Sequence, residues 1–233
     1  EVDWLLKIGG ITVETGRVLG ADLQLDAVRS EFDAVFLGMG LSGVNALGVE
    51  GETKKGVLDA VDFIADLRQA SDVAKVPVGR DVVVIGGGDT GSDCVGTSNR
   101  HGANHVTQFE LLPQPPEEEN KPLVWPYWPT KLRTSSSHEE GCERDWSVGT
   151  KRFEGKNGKV EKLIGVRLEW QGGKMAEVPN SEFEIKADLV LLAMGFVSPA
   201  QQVLNAFGVD KDARGNAKAH VEGQKAYQTN VAK

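Results

Sequence analysis

The stretch DVVVIGGGDTGSDCVGTSNRHGANHVTQFE, residues 81–110, decides the fold. It opens with an apolar, β-branched run, DVVVI, which is typical of a parallel strand buried on both faces. The glycine-rich turn GGGDTG at 86–91 follows, then a helical segment at 92–102 and a second strand pattern at 105–112. The order strand, turn, helix, strand predicts one βαβ unit of a parallel sheet.

The glycines of this turn have separate expected roles. Gly86, Gly88 and Gly91 form G-x-G-x-x-G, which is weak alone but specific between a strand and a helix. We expect Gly86 to permit the tight turn, Gly88 to admit a pyrophosphate close to the backbone, and Gly91 to let the helix pack on the strand. Free N–H groups at the helix N-terminus would then bind the phosphates. The predicted cofactor-binding residues of the turn are Gly86, Gly87, Gly88, Asp89, Thr90 and Gly91.

Two further expectations concern charge around the turn. Asp89 or Thr90 is expected to cap the helix. Glu110, near the end of the second strand, is expected to accept hydrogen bonds from the adenosine ribose and to repel a 2′-phosphate. No Lys or Arg follows it until Lys121, so the sequence favours NADH over NADPH. The alternatives are a plain surface glutamate, or a cation supplied by the proline-rich segment 113–129.

Other segments complete the predicted elements. Strands are expected at 11–15 and, buried, at 33–40 (DAVFLGMG). Residues 57–69 predict an amphipathic helix. Strand and turn patterns from 151 to 186 predict an antiparallel meander, followed by a buried strand at 187–196. The expected apolar face of the helix consists of Leu58, Val61, Ile64 and Leu67.

Residues 113–150 are predicted to be a long irregular loop, because six of the nine prolines lie in 113–129. Its aromatic residues are interpreted as packing anchors. A group of potential metal ligands in the loop matches no known site geometry, so we expect a solvated segment and no metal. The anchors are Trp125, Tyr127, Trp128 and Trp146, and the rejected ligands are His138, Glu139, Glu140 and Cys142.

The composition excludes several classes of function. The formal net charge is −8, whereas nucleic-acid binding requires clustered Lys and Arg. No apolar run is long enough to cross a bilayer, and no signal peptide is recognisable, so no membrane partner is expected. Cys94 and Cys142 form no C-x-x-C motif, which predicts reduced thiols in a cytoplasmic protein. Because the chain begins at Glu1, we interpret it as an excised piece of a longer protein.

The stretch VVVIGGGDTGSDCVGTSNRHGA, with VTQFELLPQPPEEENKP and WPYWPTKLRTSSSHEEG, closely resembles the small subunit of glutamate synthase, an NAD(P)H and FAD oxidoreductase. LLPQPP and SSSHEEG make the resemblance specific, because they are not general features of dinucleotide-binding folds. The resemblance covers about residues 80–233. Residues 1–80, with VFLGMGLSGVNALGVEGE, also resemble the flavoprotein part of dihydropyrimidine-dehydrogenase-type enzymes.

The resemblance implies a glutathione-reductase-like arrangement, in which a nicotinamide domain is inserted into a FAD domain. The expected fold class is therefore α/β, a Rossmann-like three-layer dinucleotide-binding domain with an antiparallel β meander, flanked by partial FAD-domain segments. Residues 41–196 would form the NAD(P)H-binding domain, and 1–40 and 197–233 the partial FAD-domain segments. By the same resemblance Ala193 and Gly195 lie near the nicotinamide ribose; an ordinary strand-to-loop turn is the alternative.

In the full protein the resemblance implies electron flow from NAD(P)H to FAD, then through iron–sulfur clusters in segments missing here to a glutamate-forming large subunit or its equivalent. Hydride transfer between stacked rings needs no acid or base, so no catalytic residue is predicted. Dihydropyrimidine-dehydrogenase-like electron transfer and an inactive nucleotide-binding fragment stay open as alternatives, as does dimerisation. A stand-alone dehydrogenase is disfavoured because no histidine lies in a recognisable motif; the four are His101, His105, His138 and His220.

Overall fold

A computed structural model describes residues 1–19, 22–41, 44–72, 75–76, 78–124, 126–127 and 131–231. The chain divides into two compact units. The central unit contains residues 44–195, and the terminal unit combines residues 1–43 with 196–233. The assignment of 1–40 and 197–233 to a FAD domain, and of 41–196 to an NAD(P)H domain, stays a prediction.

In the central unit strands alternate with helices from residue 57 to 124, and residues 143–192 contain strands alone. In chain order the elements are α1 (Val2–Leu6), α2 (Leu25–Glu31), β1 (Val57–Asp59), α3 (Ala60–Gln69), β2 (Asp81–Ile85), α4 (Asp89–Arg100), β3 (His105–Glu110), α5 (Lys121–Val124), α6 (Ser136–Glu139), β4 (Glu143–Trp146), β5 (Val148–Glu154), β6 (Lys162–Gln171), β7 (Lys174–Glu177), β8 (Phe183–Lys186), β9 (Leu189–Leu192) and α7 (Gln201–Phe207).

The central unit has three layers around a parallel sheet with strand order β1-β9-β2-β3-β4. Successive side chains of β2 point to opposite faces, as in any strand. Val82 and Val84 pack with α3 and α4 on one face, and Val83 packs with the meander on the other. This two-sided burial explains why β2 is an uninterrupted apolar run.

The meander forms the third layer. Strands β5, β6 and β7 pair in antiparallel order, and β8 also pairs with β6. Phe153 and Leu163 from this layer are fully buried against the parallel sheet. The predicted Rossmann-like three-layer unit with an antiparallel meander is confirmed.

Three local predictions are wrong. Residues 33–40 form no strand, and Phe36 within them is 90% exposed. Residues 11–15 also form no strand. The helix predicted at 57–69 begins only at Ala60, because residues 57–59 pair with β9 as β1. Its buried face is accordingly Ala60, Phe63 and Leu67, whereas Leu58 and Val61 are exposed.

The segment 113–150 is more ordered than predicted. It contains α5, α6 and β4, and β4 extends the parallel sheet beside β3. Of its predicted aromatic anchors, Trp125 and Trp128 lie outside the described residues. Tyr127 is 81% exposed and anchors nothing, whereas Trp146 lies in β4 with the Arg144 guanidinium over its ring.

The terminal unit has its own small core. Leu204 and Phe207 of α7 and the nearby Val209 are buried. Leu25 of α2 and Val35 pack against them. The helix α7 ends at Phe207 and is capped by Gly208 in the left-handed conformation that glycine favours.

Candidate functional site

The predicted turn leaves β2 through a backbone conformation that only glycine adopts readily. Gly86 has φ +127°, and its N–H donates to the Phe109 carbonyl at 2.8 Å. A Cβ at Gly86 would lie 2.1 Å from the Ala193 carbonyl oxygen. The turn therefore sits directly between β3 and the end of β9, at the carboxyl edge of the sheet.

Gly88 and Gly91 differ in what surrounds them. A Cβ at Gly91 would lie 2.1 Å from the Gly86 carbonyl oxygen, so α4 packs against the turn only because residue 91 has no side chain. A Cβ at Gly88 would meet nothing within 4 Å. The structure thus gives Gly91 a packing role and leaves open space beside Gly88, where a diphosphate would approach.

The N-terminus of α4 faces this open space. Gly88 is the N-cap residue, and no side-chain hydrogen bond caps the helix. The expectation that Asp89 or Thr90 caps it is wrong, because both lie inside the helix, past the cap position. The first N–H groups of α4 therefore point into the open space beside Gly88, and the partial positive charge of the helix N-terminus lies there as well.

Glu110 lies against the turn. Its Oε2 accepts a hydrogen bond from the Gly87 N–H at 2.7 Å, and its Oε1 accepts one from the Leu112 N–H at 3.2 Å. Each carboxylate oxygen has a further lone pair, so the group can still accept hydrogen bonds from hydroxyls. The carboxylate is thus fixed at the site before any ligand binds.

The end of β9 completes the edge. The Ala193 N–H donates to the Ile85 carbonyl at 2.7 Å, which places Ala193 beside the start of the turn. Gly195, with φ +78°, lies two residues beyond. The Asn45 side chain donates to the intervening Met194 carbonyl at 3.3 Å. The structure therefore brings Ala193 into contact with the glycine turn, whereas a Cβ at Gly195 would meet nothing within 4 Å.

Sequence reasoning missed a chain of hydrogen-bonded polar side chains behind the turn, two of them buried and two partly buried. Gln108, only 2% exposed, donates from Nε2 to the Gly86 carbonyl at 2.9 Å. Its Oε1 is 2.9 Å from His138 Nε2, and His138 Nδ1 is 3.0 Å from Ser135 Oγ. Ser135 Oγ in turn contacts Ser92 Oγ on α4. The signals were a glutamine inside a buried strand and the S-x-x-H spacing of a capping box.

Neither cysteine has the surroundings of a reactive thiol. Burial raises the pKa of Cys94 to about 12, and Asp93 and Asp59 add to the effect. Burial also raises the pKa of Cys142 to about 11. Both groups are therefore protonated at neutral pH and poor nucleophiles.

The predicted absence of a metal site concerned the 138–142 segment. His138 bonds to Gln108, and Glu140 forms an ion pair with Arg100. Within the described parts of the chain, no group of three or more His, Cys, Asp or Glu side chains is placed to hold a metal ion. In the same parts, no helix has the length and apolar character needed to span a membrane.

Comparisons of sequence identify similar proteins. Residues 1–232 match the pyridine nucleotide-disulphide oxidoreductase family. The small chain of NADPH glutamate synthase from Mycobacterium tuberculosis is 40% identical over 222 residues, which is 91% of this chain and 46% of the relative. NADH glutamate synthase from Schizosaccharomyces pombe is 37% identical over 245 residues, 95% of this chain and 11% of the relative. The resemblance to the glutamate synthase small subunit is confirmed, although the chain spans less than half of each relative.

Comparisons of structure support the fold. Mycobacterium tuberculosis FprA in complex with NADPH matches with a TM-score of 0.59 at 15% identity, over 88% of this chain and 61% of that one. The thioredoxin reductase of T. acidophilum matches with a TM-score of 0.52 at 19% identity, over 81% of this chain and 53% of that one. At these identities the likeness concerns the fold alone.

Proposed function

The chain belongs to the pyridine nucleotide-disulphide oxidoreductase family, and from this premise we propose that its central unit binds the pyridine nucleotide. The observation that carries the proposal is the junction between β2 and α4. There an uncapped helix N-terminus adjoins a glycine with open space in place of a side chain, and the fixed carboxylate of Glu110 on β3 lies against the same turn. An uncapped helix N-terminus with room beside it is suited to a diphosphate.

The residues of the turn fit an adenine dinucleotide. Gly88 leaves room for the diphosphate, and the N–H groups at the start of α4 would donate to its oxygens. Glu110 would accept hydrogen bonds from the adenosine ribose, and Ala193 and Gly195 would lie on the nicotinamide side. The bound dinucleotide would supply hydride from C4 of its nicotinamide ring, and these side chains would only bind and orient it.

We further propose that NADH is preferred over NADPH. Glu110 is held at the turn by the Gly87 N–H, so its charge stays where a 2′-phosphate would have to bind. The nearest following cation in the sequence, Lys121, forms an ion pair with Glu119. The relatives divide on this point, since the mycobacterial protein is named for NADPH and the fungal protein for NADH.

In the whole protein we propose that the nucleotide reduces FAD, and that electrons continue to a glutamate-forming large subunit in the cytoplasm. The similarity to glutamate synthase small chains supports this placement. The proposed FAD-domain segments, 1–40 and 197–233, contain no second glycine turn between a strand and a helix among their described residues. These residues do not fit FAD by themselves, so we derive no step through the flavin.

A titration of the chain with NADH and with NADPH, followed by quenching of its five tryptophans, tests the proposal. We expect saturable binding of both, with NADH tighter. Replacing Glu110→Gln should reduce the preference for NADH about tenfold, since a hydrogen bond to a charged group contributes about 1.5–3 kcal/mol. Glu169→Gln, the same change on the exposed side of β6, serves as the control and should leave both affinities unchanged.

Two results would count against the proposal. Binding of neither nucleotide would contradict the assignment of the turn as the nucleotide site. A preference for NADPH that survives Glu110→Gln would contradict the role of the carboxylate, and would favour a cation of the long segment 113–150 as the group that binds the 2′-phosphate.

A further inference from the structure

One peptide unit of the glycine turn is held at both ends by side chains of β3. The Gly86 carbonyl accepts from Gln108 Nε2 at 2.9 Å, and the Gly87 N–H donates to Glu110 Oε2 at 2.7 Å. Residues two apart on a strand project from the same face, so β3 presents both groups to the turn together. The orientation of the Gly86–Gly87 peptide plane is therefore set by two side chains.

The position of Gln108 is fixed in turn by His138. A carbonyl oxygen only accepts hydrogen bonds, so the NH₂ group of Gln108 must face Gly86. Its Oε1 then needs a donor, and the atom at 2.9 Å is His138 Nε2. Because Gln108 is 2% exposed, no water is at hand to replace a lost partner, and an unpaired amide would be costly.

The same geometry assigns the tautomer of His138. The backbone N–H of Ser135 donates to His138 Nδ1 at 3.1 Å, so Nδ1 carries no proton. Nε2 carries it instead and donates to Gln108. His138 is thus neutral, with one ring nitrogen capping α6 and the other supporting β3.

We propose that Gln108 and His138 are positioning residues for the pyridine nucleotide. Uncharged hydrogen bonds link the SSSHEEG segment (residues 135–141) through His138 and Gln108 to the glycine turn, so the conformation of this segment determines the orientation of the turn. The inference rests on the proposed function, because it concerns the same site. Protonation of His138 would turn Nδ1 into a donor that faces the Ser135 N–H. Nucleotide affinity should therefore fall when His138 becomes charged.

The surroundings of His138 favour its neutral form. Burial lowers its pKa below the usual range, and the positive charge of Arg144 on β4 lowers it further. Arg100 on α4 pairs with Glu140, next to α6, which leaves little net charge from that side. Further charged residues in the neighbouring sequence are Arg133, Glu139 on α6 and Glu143 on β4.

His138 has two functions: it caps α6, and it starts the relay, the pair of hydrogen bonds from His138 to Gln108 and from Gln108 to the Gly86 carbonyl. Two substitutions of His138 separate these functions. In His138→Gln, the side-chain NH₂ group occupies about the place of Nε2 and keeps the donor to Gln108 without a titrating group. In His138→Asn, the shorter amide keeps an acceptor near the Ser135 N–H but does not reach Gln108. His138→Gln therefore retains the hydrogen bond to Gln108, and His138→Asn retains the cap of α6.

The experiment measures NADH affinity of both variants and the unchanged chain at about pH 7.5 and about pH 5.5, with thermal melting to verify folding. We expect His138→Asn to bind about tenfold more weakly at neutral pH, the loss of about one hydrogen bond. His138→Gln should bind as the unchanged chain does at neutral pH and show a smaller loss on acidification. Normal binding by His138→Asn with weak binding by His138→Gln would overturn the proposal, because the cap alone would then matter.

A second measurement needs no nucleotide. The amide resonance of Gly87 reports on the hydrogen bond to the Gly86 carbonyl, so it should move in His138→Asn and on acidification of the unchanged chain, but not in His138→Gln. A Gly87 resonance that shifts neither in His138→Asn nor on acidification of the unchanged chain would contradict the proposed link between His138 and the turn. If the relay behaves as expected but no nucleotide binds, the proposed function fails and the positioning of the turn by His138 stands.

Discussion

Two junctions of the parallel sheet lead from a strand into a helix, and they treat the helix N-terminus in opposite ways. At the β1–α3 junction, Asp59 Oδ1 accepts hydrogen bonds from the N–H groups of Val61 at 2.8 Å and Asp62 at 3.2 Å. At the β2–α4 junction the N-cap is Gly88, which has no side chain. The helices are neighbours, since α3 and α4 pack against each other.

The identity of the N-cap residue determines whether the N-terminus of a helix is satisfied within the protein or is available to a ligand. A carboxylate at the cap satisfies the first N–H groups and neutralises the positive end of α3. Glycine at the same position leaves those groups for an external anion. Substitutions at one junction at a time test whether the two helix N-termini have separate roles.

The largest effect is expected for Gly91→Ala. The new Cβ would lie 2.1 Å from the Gly86 carbonyl oxygen and 2.7 Å from Gln108 Nε2, so α4 would have to move away from the turn. We expect the free energy of unfolding of the central unit to fall by about 3 kcal/mol, the upper part of the usual range for overpacking. Chemical denaturation measures the loss, and nucleotide binding should disappear with it.

Gly88→Ala is the matched control. It adds the same methyl group three residues earlier, where nothing lies within 4 Å and the backbone has φ −81°. Stability should change by less than about 0.5 kcal/mol, while nucleotide affinity falls because the methyl group occupies the approach of the diphosphate. Equal destabilisation by both alanines would show that Gly91 has no special packing role.

Gly88→Asp converts the binding junction into a copy of the structural one. The extended backbone at Gly88 suits an aspartate cap, so stability should rise slightly, by about 0.3 kcal/mol, because glycine is itself tolerated at this position. Nucleotide affinity should fall about a hundredfold, or about 2.7 kcal/mol, because the carboxylate takes the N–H groups and repels the diphosphate.

Gly88→Asn separates the two causes, since it caps the helix without adding charge. We expect an intermediate loss of affinity with a similar gain in stability. Isothermal titration calorimetry and thermal melting measure the two quantities. Nucleotide binding by Gly88→Asp at the original affinity would show that the N-terminus of α4 does not bind the diphosphate.

The β2–α4 junction was predictable because its signals are local. The β-branched residues of 81–85 favour a strand, and the glycines of the turn permit conformations closed to other residues. The apolar and β-branched residues of 105–110 likewise indicate a strand from their own sequence. The helix cap was predicted wrongly, since Asp89 follows the cap position by one residue. The sequence indicated that a helix begins near Asp89, but it did not determine which residue is the N-cap.

Other features depended on contacts that a pattern does not contain. The apolar run 33–40 has the composition of a buried strand but forms none in the terminal unit. The strand β4 contains mostly polar residues and exists because β3 offers it an edge. The link from Gln108 to His138 joins residues thirty apart in sequence, so no local pattern revealed it.

The smallest effect is expected for Asp59→Ala. The change removes the cap of α3 and should lower the free energy of unfolding by about 1 kcal/mol, which corresponds to about 2–4 °C in melting temperature. Asp59→Ser, which keeps an acceptor at the cap, should recover most of the loss. Nucleotide affinity should be unchanged in both, because Asp59 serves a helix that carries no glycine turn.

This last result decides whether the two junctions are independent. Substitutions in contacting elements are often coupled by 0.5–3 kcal/mol, and α3 and α4 are in contact through the shared core. If Asp59→Ala weakens nucleotide binding as much as Gly88→Asp does, the cap on α3 supports the turn through that core. If affinity holds while stability falls, the capped helix belongs to the scaffold and the uncapped helix to the site.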